Sequence, residues 1–263
     1  MIAFNHKPGL VAYLTCGDPD LGTTRAVALA AIDAGADVIE LGVPFSDPVA
    51  DGPVIQRASE RALKSGTSLR DAIAVGAELC KARPKAGLIV FTYLNPVLQL
   101  GIADFAKQLA SSGIDGALII DLTVEEADEY IALMRQHNLA TIFLAAPTST
   151  DARLKSISEQ SRGFVYAVSR TGITGQQKQL ASDAADLVGR VRRFSKLPLA
   201  VGFGISTTEQ FQAVGEFADA AVIGSAIVSI IEKHGKESAE PVATFIRGLR
   251  AGRLAAQAES LAK

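Results

Sequence analysis

Two carboxylates stand out by where they fall. In the stretch IELGVPFSDPVADGP, from Ile39 to Pro53, Glu40 interrupts an apolar run, and Asp47 and Asp51 follow in a proline-broken loop. Alternation along DVIELGV puts Val38, Glu40 and Gly42 on one face of a strand and Ile39, Leu41 and Val43 on the other. An inward carboxylate near the end of a barrel strand loses part of the solvation of its charged form. Its pKa then rises toward the range useful for proton exchange near neutrality. By position alone, Glu40 reads equally as a catalytic acid–base group or as half of a salt bridge to a neighbouring element. Asp51, in ADGP, reads first as turn chemistry, because Gly52 permits an unusual backbone turn and Pro53 suits the first position of a helix. Asp47 before Pro48 reads the same way.

Glycines make a second constellation: TGITG, GFG and GSA, each placed where a strand candidate ends. A phosphate needs backbone N–H groups that can approach it closely, and glycine removes the side chain that would block them. Three such clusters on consecutive strands favour a phosphate site over simple close packing of a rim.

Absences narrow the reaction. Schiff-base chemistry needs a lysine facing the pocket, and the upper ends of the strand candidates carry none. His6, His137 and His234 are scattered and form no metal-ligand spacing. Cys16 reads as a small buried apolar residue in the absence of a base beside it. What remains is cofactor-free acid–base chemistry by carboxylates on a phosphorylated substrate, with no metal.

The elements that must hold these groups are legible as alternation. Eight short apolar runs read as strands: LVAYLT from Leu10, DVIELGV from Asp37, GLIVFTY from Gly87, GALIID from Gly116, ATIFLAA from Ala140, FVYAVS from Phe164, LPLAVGFGI from Leu197 and AAVIGSAI from Ala220. Amphipathic stretches lie between them, several ended by Gly or Asn. Apolar strands alternating with helices predict a parallel sheet covered by helices, and eight of each predict a closed (β/α)8 TIM barrel. The open doubly wound alternative lacks its fingerprint, since TCGDPD after the first strand is not G-x-G-x-x-G. No linker or composition break appears, so residues 1–263 read as one α/β domain. The long connections PFSDPVADGP and RTGITGQQKQL both leave the C-terminal ends of strands, the active face of such barrels.

The 263 residues are 48% hydrophobic with a formal net charge of −2, and the charges are dispersed. A barrel of this type typically runs to about 250 residues. The balance excludes the basic stripe of a nucleic-acid binder. Cys16 and Cys80 match no disulfide or metal spacing, and neither a signal-like N-terminus nor a membrane-length apolar run is present, so a soluble, cytoplasmic protein is expected.

The motifs YLTCGDPD, AGADVIELGVPFSDPVADGPVIQRA, YLNPVLQLG, DLTVEE, SRTGITG, GFGIS and IGSAIV, in this order over nearly the whole length, resemble the tryptophan synthase alpha subunit family. The long second motif is the specific one. The resemblance implies a (β/α)8 lyase of tryptophan biosynthesis that splits indole-3-glycerol phosphate into indole and glyceraldehyde 3-phosphate by retro-aldol cleavage. It implies Glu40 and Asp51 as the catalytic pair, Glu40 exchanging protons and Asp51 accepting a hydrogen bond from the indole N–H. It further implies phosphate contacts at Gly175, Gly204, Gly224 and Ser225 with Phe203 close by. Tyr166 would lie near the glutamate, Tyr13, Phe91 and Leu118 would wall the indole, and Thr174 would sit in a mobile loop that closes on Asp51.

No cofactor is implied for this chain. Pyridoxal phosphate would belong to a beta subunit, the partner in an expected α2β2 heterotetramer, docked on the loops after the second and third strands. Three features depart from the family pattern: MIAFNHKPG is too short for the usual helix before the first strand, Thr123 stands where proline is usual, and Cys16 stands where alanine is frequent. The competing functions are a free-standing indole-3-glycerol-phosphate lyase and a catalytically silent phosphate-binding barrel that activates a partner.

Overall fold

A computed structural model of the chain describes residues 2–168, 177–202 and 204–261, the side chains of 177–181 and 253–261 excepted. The elements run β1 (Gly9–Thr15), α1 (Leu21–Asp33), β2 (Val38–Gly42), α2 (Pro53–Lys64), α3 (Leu69–Ala82), β3 (Gly87–Thr92), α4 (Leu94–Leu100), α5 (Ile102–Ser112) and β4 (Gly116–Ile119). They continue with α6 (Asp128–Gln136), β5 (Ala140–Ile142), β6 (Leu144–Ala145), α7 (Asp151–Gln160), β7 (Val165–Val168), α8 (Gln177–Arg192), β8 (Leu199–Gly202), α9 (Thr208–Phe217), β9 (Ala220–Ile223), α10 (Ser225–His234) and α11 (Ala239–Leu261).

The strand order is β5-β4-β3-β2-β1-β9-β8-β7-β6, and every pairing is parallel. The two ends of that order are consecutive pieces of one extended segment, interrupted at Phe143. β5 pairs with β4 and β6 with β7, so this segment closes the barrel. The run ATIFLAA, expected as one strand, is therefore broken in two; the eight-strand barrel is otherwise as the pattern implies.

Period-two alternation sorts the strand residues into two layers. Ile39, Leu41 and Val43 of β2 and its end join the larger apolar cluster with Leu10, Leu14 and Val90, between the sheet and the helices. Val38 joins Val11, Tyr13, Ile89, Phe91, Leu118, Ile142 and Phe164 in the second cluster, which fills the barrel. Among the described residues no helix precedes β1 at the floor of the barrel. Phe4 packs edge-on against Phe164 with ring centroids 5.9 Å apart, and a side chain at Gly9 would come within 2.3 Å of the Phe4 ring. Glycine at position 9 is thus what lets the Phe4 ring pack into the floor.

The strand feet share a repeated device. Asp37, Asp115 and Asp219 each precede a strand, and their carboxylates accept the backbone N–H of Leu10 (2.9 Å), Leu88 (3.0 Å) and Leu199 (2.8 Å) on the preceding strand in the sheet. The same three aspartates donate their own N–H to the carbonyls of those leucines. Each pins the start of one strand to its neighbour and satisfies an amide that would otherwise be orphaned at the sheet's end. Such features at the N-terminal face serve stability, leaving the other face to chemistry.

Candidate active site

β2 carries Glu40 between Tyr13 of β1 and Ile89 of β3, its register partners. Because all three positions face the barrel interior, the carboxyl ends up 1% exposed, and its Oε1 has no hydrogen-bond partner among the described residues. Removal from water disfavours its charge, and the Asp51 carboxylate adds repulsion; together they push Glu40 up to about 8. An acid of this kind can give and take a proton near neutral pH.

Asp51 lies in the loop between β2 and α2, just before Gly52 and the Pro53 that starts the helix. Its Oδ2 accepts a hydrogen bond from Tyr93 Oη at 3.2 Å, and the same hydroxyl accepts the N–H of Ala50 at 3.0 Å. Phe45 stacks on the Tyr93 ring, centroids 4.8 Å apart, so the loop is held at both ends of one tyrosine. Burial pushes Asp51 up to about 6, while the Tyr93 hydrogen bond works in the opposite direction. The turn chemistry read from ADGP is real, since Gln56 donates to the Asp51 carbonyl at 2.9 Å, and it aims the side chain inward. α2 is in turn fixed to α10: Arg57 and Arg61 both bind Glu232, and Arg61 also grips buried Asp18 through two bonds of 2.7 and 2.8 Å.

Both carboxylates line one cavity of about 290 Å³ at the C-terminal ends of the strands. Tyr13, Phe91, Tyr166, Gly204, Gly224 and Ser225, all expected from the sequence, line it too. Tyr13 meets Phe91 edge to face at 5.3 Å. Gly42 and Gly202 make room for the two tyrosines, because a Cβ at either would fall 2.3 Å from Tyr13 Oη or 2.8 Å from Tyr166 Oη. Gly224 caps α10 and Ser225 opens it, so the first N–H groups of that helix end at the cavity, a favourable place for an anion.

Leu118 is fully buried in the barrel interior but does not line the cavity. Ile120 and Leu144 do. These two, with Ile55, Val168 and Val222, were missed in the sequence. Ile120 and Leu144 follow Leu118 and Ile142 by two residues, so strict alternation would have found them. Tyr93 was missed for a different reason: its ring reaches Asp51 across the sheet, which no spacing records. Thr174, Gly175 and Phe203 lie outside the described residues.

A larger cavity, about 480 Å³, opens at the opposite face between Ile114, His137, Leu139 and Arg162. It contains neither perturbed carboxylate, so size does not decide where the chemistry is. Among the described residues no group of three or more His, Cys, Asp or Glu is placed to hold a metal ion, and no helix is long and apolar enough to cross a membrane.

Comparison with known proteins agrees with this fold. The family model for the tryptophan synthase alpha chain matches residues 2–256. The alpha chain of Solibacter usitatus is 47% identical over 249 residues, covering 94% of this chain and 93% of that protein. Tryptophan synthase from M. tuberculosis superposes with a TM-score of 0.84 at 38% identity, covering 94% of this chain and 93% of that one. The tryptophan synthase complex from Pyrococcus furiosus gives the same TM-score, 0.84, at 38% identity and 93% and 98% coverage. A barrel with a paired-carboxylate cavity, matched over nearly its whole length, belongs to the tryptophan synthase alpha chain family, the lyases that cleave indole-3-glycerol phosphate.

Proposed function

We propose that Glu40 and Asp51 carry the cleavage of indole-3-glycerol phosphate in this chain. The observation that carries the reading is the buried Glu40 carboxyl, whose Oε1 has no hydrogen-bond partner among the described residues and whose pKa is pushed up to about 8, in the same cavity as Asp51. Glu40 starts protonated and delivers its proton to indole C3, which makes the ring a leaving group. As carboxylate it then takes the proton of the adjacent glycerol hydroxyl. The bond between C3 and the hydroxyl-bearing carbon breaks, its electrons restore the aromatic ring, and the hydroxyl becomes the aldehyde of glyceraldehyde 3-phosphate. Glu40 ends protonated, as it began. Asp51 accepts the indole N–H and stabilises the positive charge that grows on nitrogen as C3 gains its proton. Gly204, Gly224 and Ser225 hold the phosphate at the start of α10, and Tyr13 and Phe91 flank the ring.

Each step uses only this chain's own groups, so no cofactor is needed in it. A beta subunit carrying pyridoxal phosphate would receive the indole, and the exposed apolar side chains on the loops and helices after β2 and β3 support docking there: Val49 is 86% and Leu98 55% exposed. One closed sheet supports a single domain over 1–263, and two free thiols support a cytoplasmic location. The test is indole release from indole-3-glycerol phosphate, with and without a beta subunit. Cleavage should be measurable alone and faster with the partner, and a flat result in both assays would end this reading.

A further inference from the structure

The active-site cavity has a neighbour. A second cavity of about 160 Å³ lies beyond β4 and β6, and Ile120 and Leu144 line both. Each is partly buried and packs on the barrel-filling cluster, one residue past the end of β4 and at the start of β6. They form a wall that the two spaces share. Glu40 and Asp51 belong to β2 and its loop, whereas the shared wall stands on strands further round the barrel. A ring whose nitrogen meets Asp51 therefore turns its benzo edge toward Ile120 and Leu144.

The chemistry of the second space limits what it would take. Phe143 forms an apolar wall, and Thr123 and Ser149 supply hydroxyls. The cation among its described lining residues, Arg153, is already paired by two bonds of 2.8 and 2.9 Å to Glu125. Ser149 Oγ accepts the N–H of Ala146 at 3.2 Å. The apolar wall and the hydroxyls suit a small neutral group.

We propose that Ile120 and Leu144 are specificity-determining residues that restrict this enzyme to substrates with an unsubstituted benzo ring, and that shortening them opens the second cavity to a methyl or chloro substituent. The inference rests on the assignment of the first cavity to indole-3-glycerol phosphate. In a hydrophobic pocket one methylene-sized group changes selectivity by about 10-fold to 200-fold, which sets the scale of the effect.

The test compares kcat/KM of the full chain for the parent substrate and for analogues bearing methyl or chloro at each benzo carbon in turn. For Ile120→Ala/Leu144→Ala, the ratio of substituted to parent kcat/KM should rise at least about tenfold over the wild type for one or more isomers. Adding Ala146→Leu, which enlarges a side chain that lines the second cavity and not the first, should return the ratio to the wild-type value. A merely loosened site would not respond to that third change. Should the double variant fail to fold, Ile120→Val/Leu144→Val gives a smaller rise in the same direction. Ratios within about twofold of wild type for every isomer, or a rise that Ala146→Leu leaves intact, overturn the inference. A wild type that does not cleave the parent substrate overturns the site assignment itself, a separate and recognisable result.

Discussion

Tyr93 Oη donates to Asp51 Oδ2 at 3.2 Å while accepting the N–H of Ala50, so one phenol both orients the loop and favours the charged form of the carboxylate at its tip. Tyr93→Phe removes both effects. A hydrogen bond to a charged group is worth about 1.5–3 kcal/mol, so kcat/KM near pH 7 should fall about tenfold or more. The acid limb of the pH profile should also move upward, because Asp51 would hold its proton to higher pH. An unchanged limb would mean that Asp51 is not the group titrating there.

Glu40 and Asp51 together set a bell-shaped profile. Asp51 must be charged and Glu40 must start protonated, and their values of about 6 and about 8 allow both states at once only between them. For kcat/KM, activity should rise through the lower value and fall through the upper, as properties of the coupled pair. Glu40→Gln should lose roughly 10²-fold to 10⁴-fold in kcat at the wild-type pH optimum, the range for general acid–base catalysis.

The same substitution has a thermodynamic signature. A carboxyl raised from its ordinary 4.5 to about 8 binds a proton in the folded state that the unfolded state has lost. Stability conferred on the wild type therefore declines as pH rises through that window and levels off above it. Glu40→Gln removes the decline. Denaturant titrations should show the variant gaining on the wild type from pH 5 to pH 9, by an amount on the order of a few kcal/mol. Parallel curves across that range would contradict a neutral buried Glu40.

Gly202→Ala should drive a methyl into Tyr166 Oη, the single atom within 3.0 Å of the built Cβ. Overpacking of this kind costs about 1–3 kcal/mol, read as a lower unfolding midpoint. Because the hydroxyl makes the closest approach, with two ring carbons at 3.3 Å, Tyr166→Phe in the same background should recover part of the loss, a coupling that a double-mutant cycle measures directly.

Asp37→Ala should destabilise without altering kcat. It strips the partner from the Leu10 N–H and from Arg250, which donates to the same oxygen at 2.6 Å. Leaving a buried amide and a partly buried guanidinium without that acceptor costs about 3–5 kcal/mol. A matching loss of kcat at saturating substrate would show that the strand feet do more than hold the sheet.

Much of the barrel was legible because its signals are local. Each strand candidate is a short apolar run, and alternation along DVIELGV assigned Glu40 to the inner face, where β2 holds it. The break at Phe143 was not legible, since ATIFLAA is uniformly apolar and the interruption reflects one segment pairing with β4 first and β7 next. Leu118 came from the family resemblance; it alternates inward as Ile120 does, and only the depth of the cavity separates the residue beneath its floor from the one on its wall.

By itself, the sequence determined the order of strands and helices, the face of β2 on which Glu40 falls, and the family, since these follow from period and motif along one chain. Tertiary structure alone decided which groups became neighbours. Closure of the sheet stripped water from Glu40, brought Tyr93 to Asp51 and made Ile120 and Leu144 a shared wall. Desolvation and contact depend on distances between residues far apart in the chain, and only the closed barrel sets them.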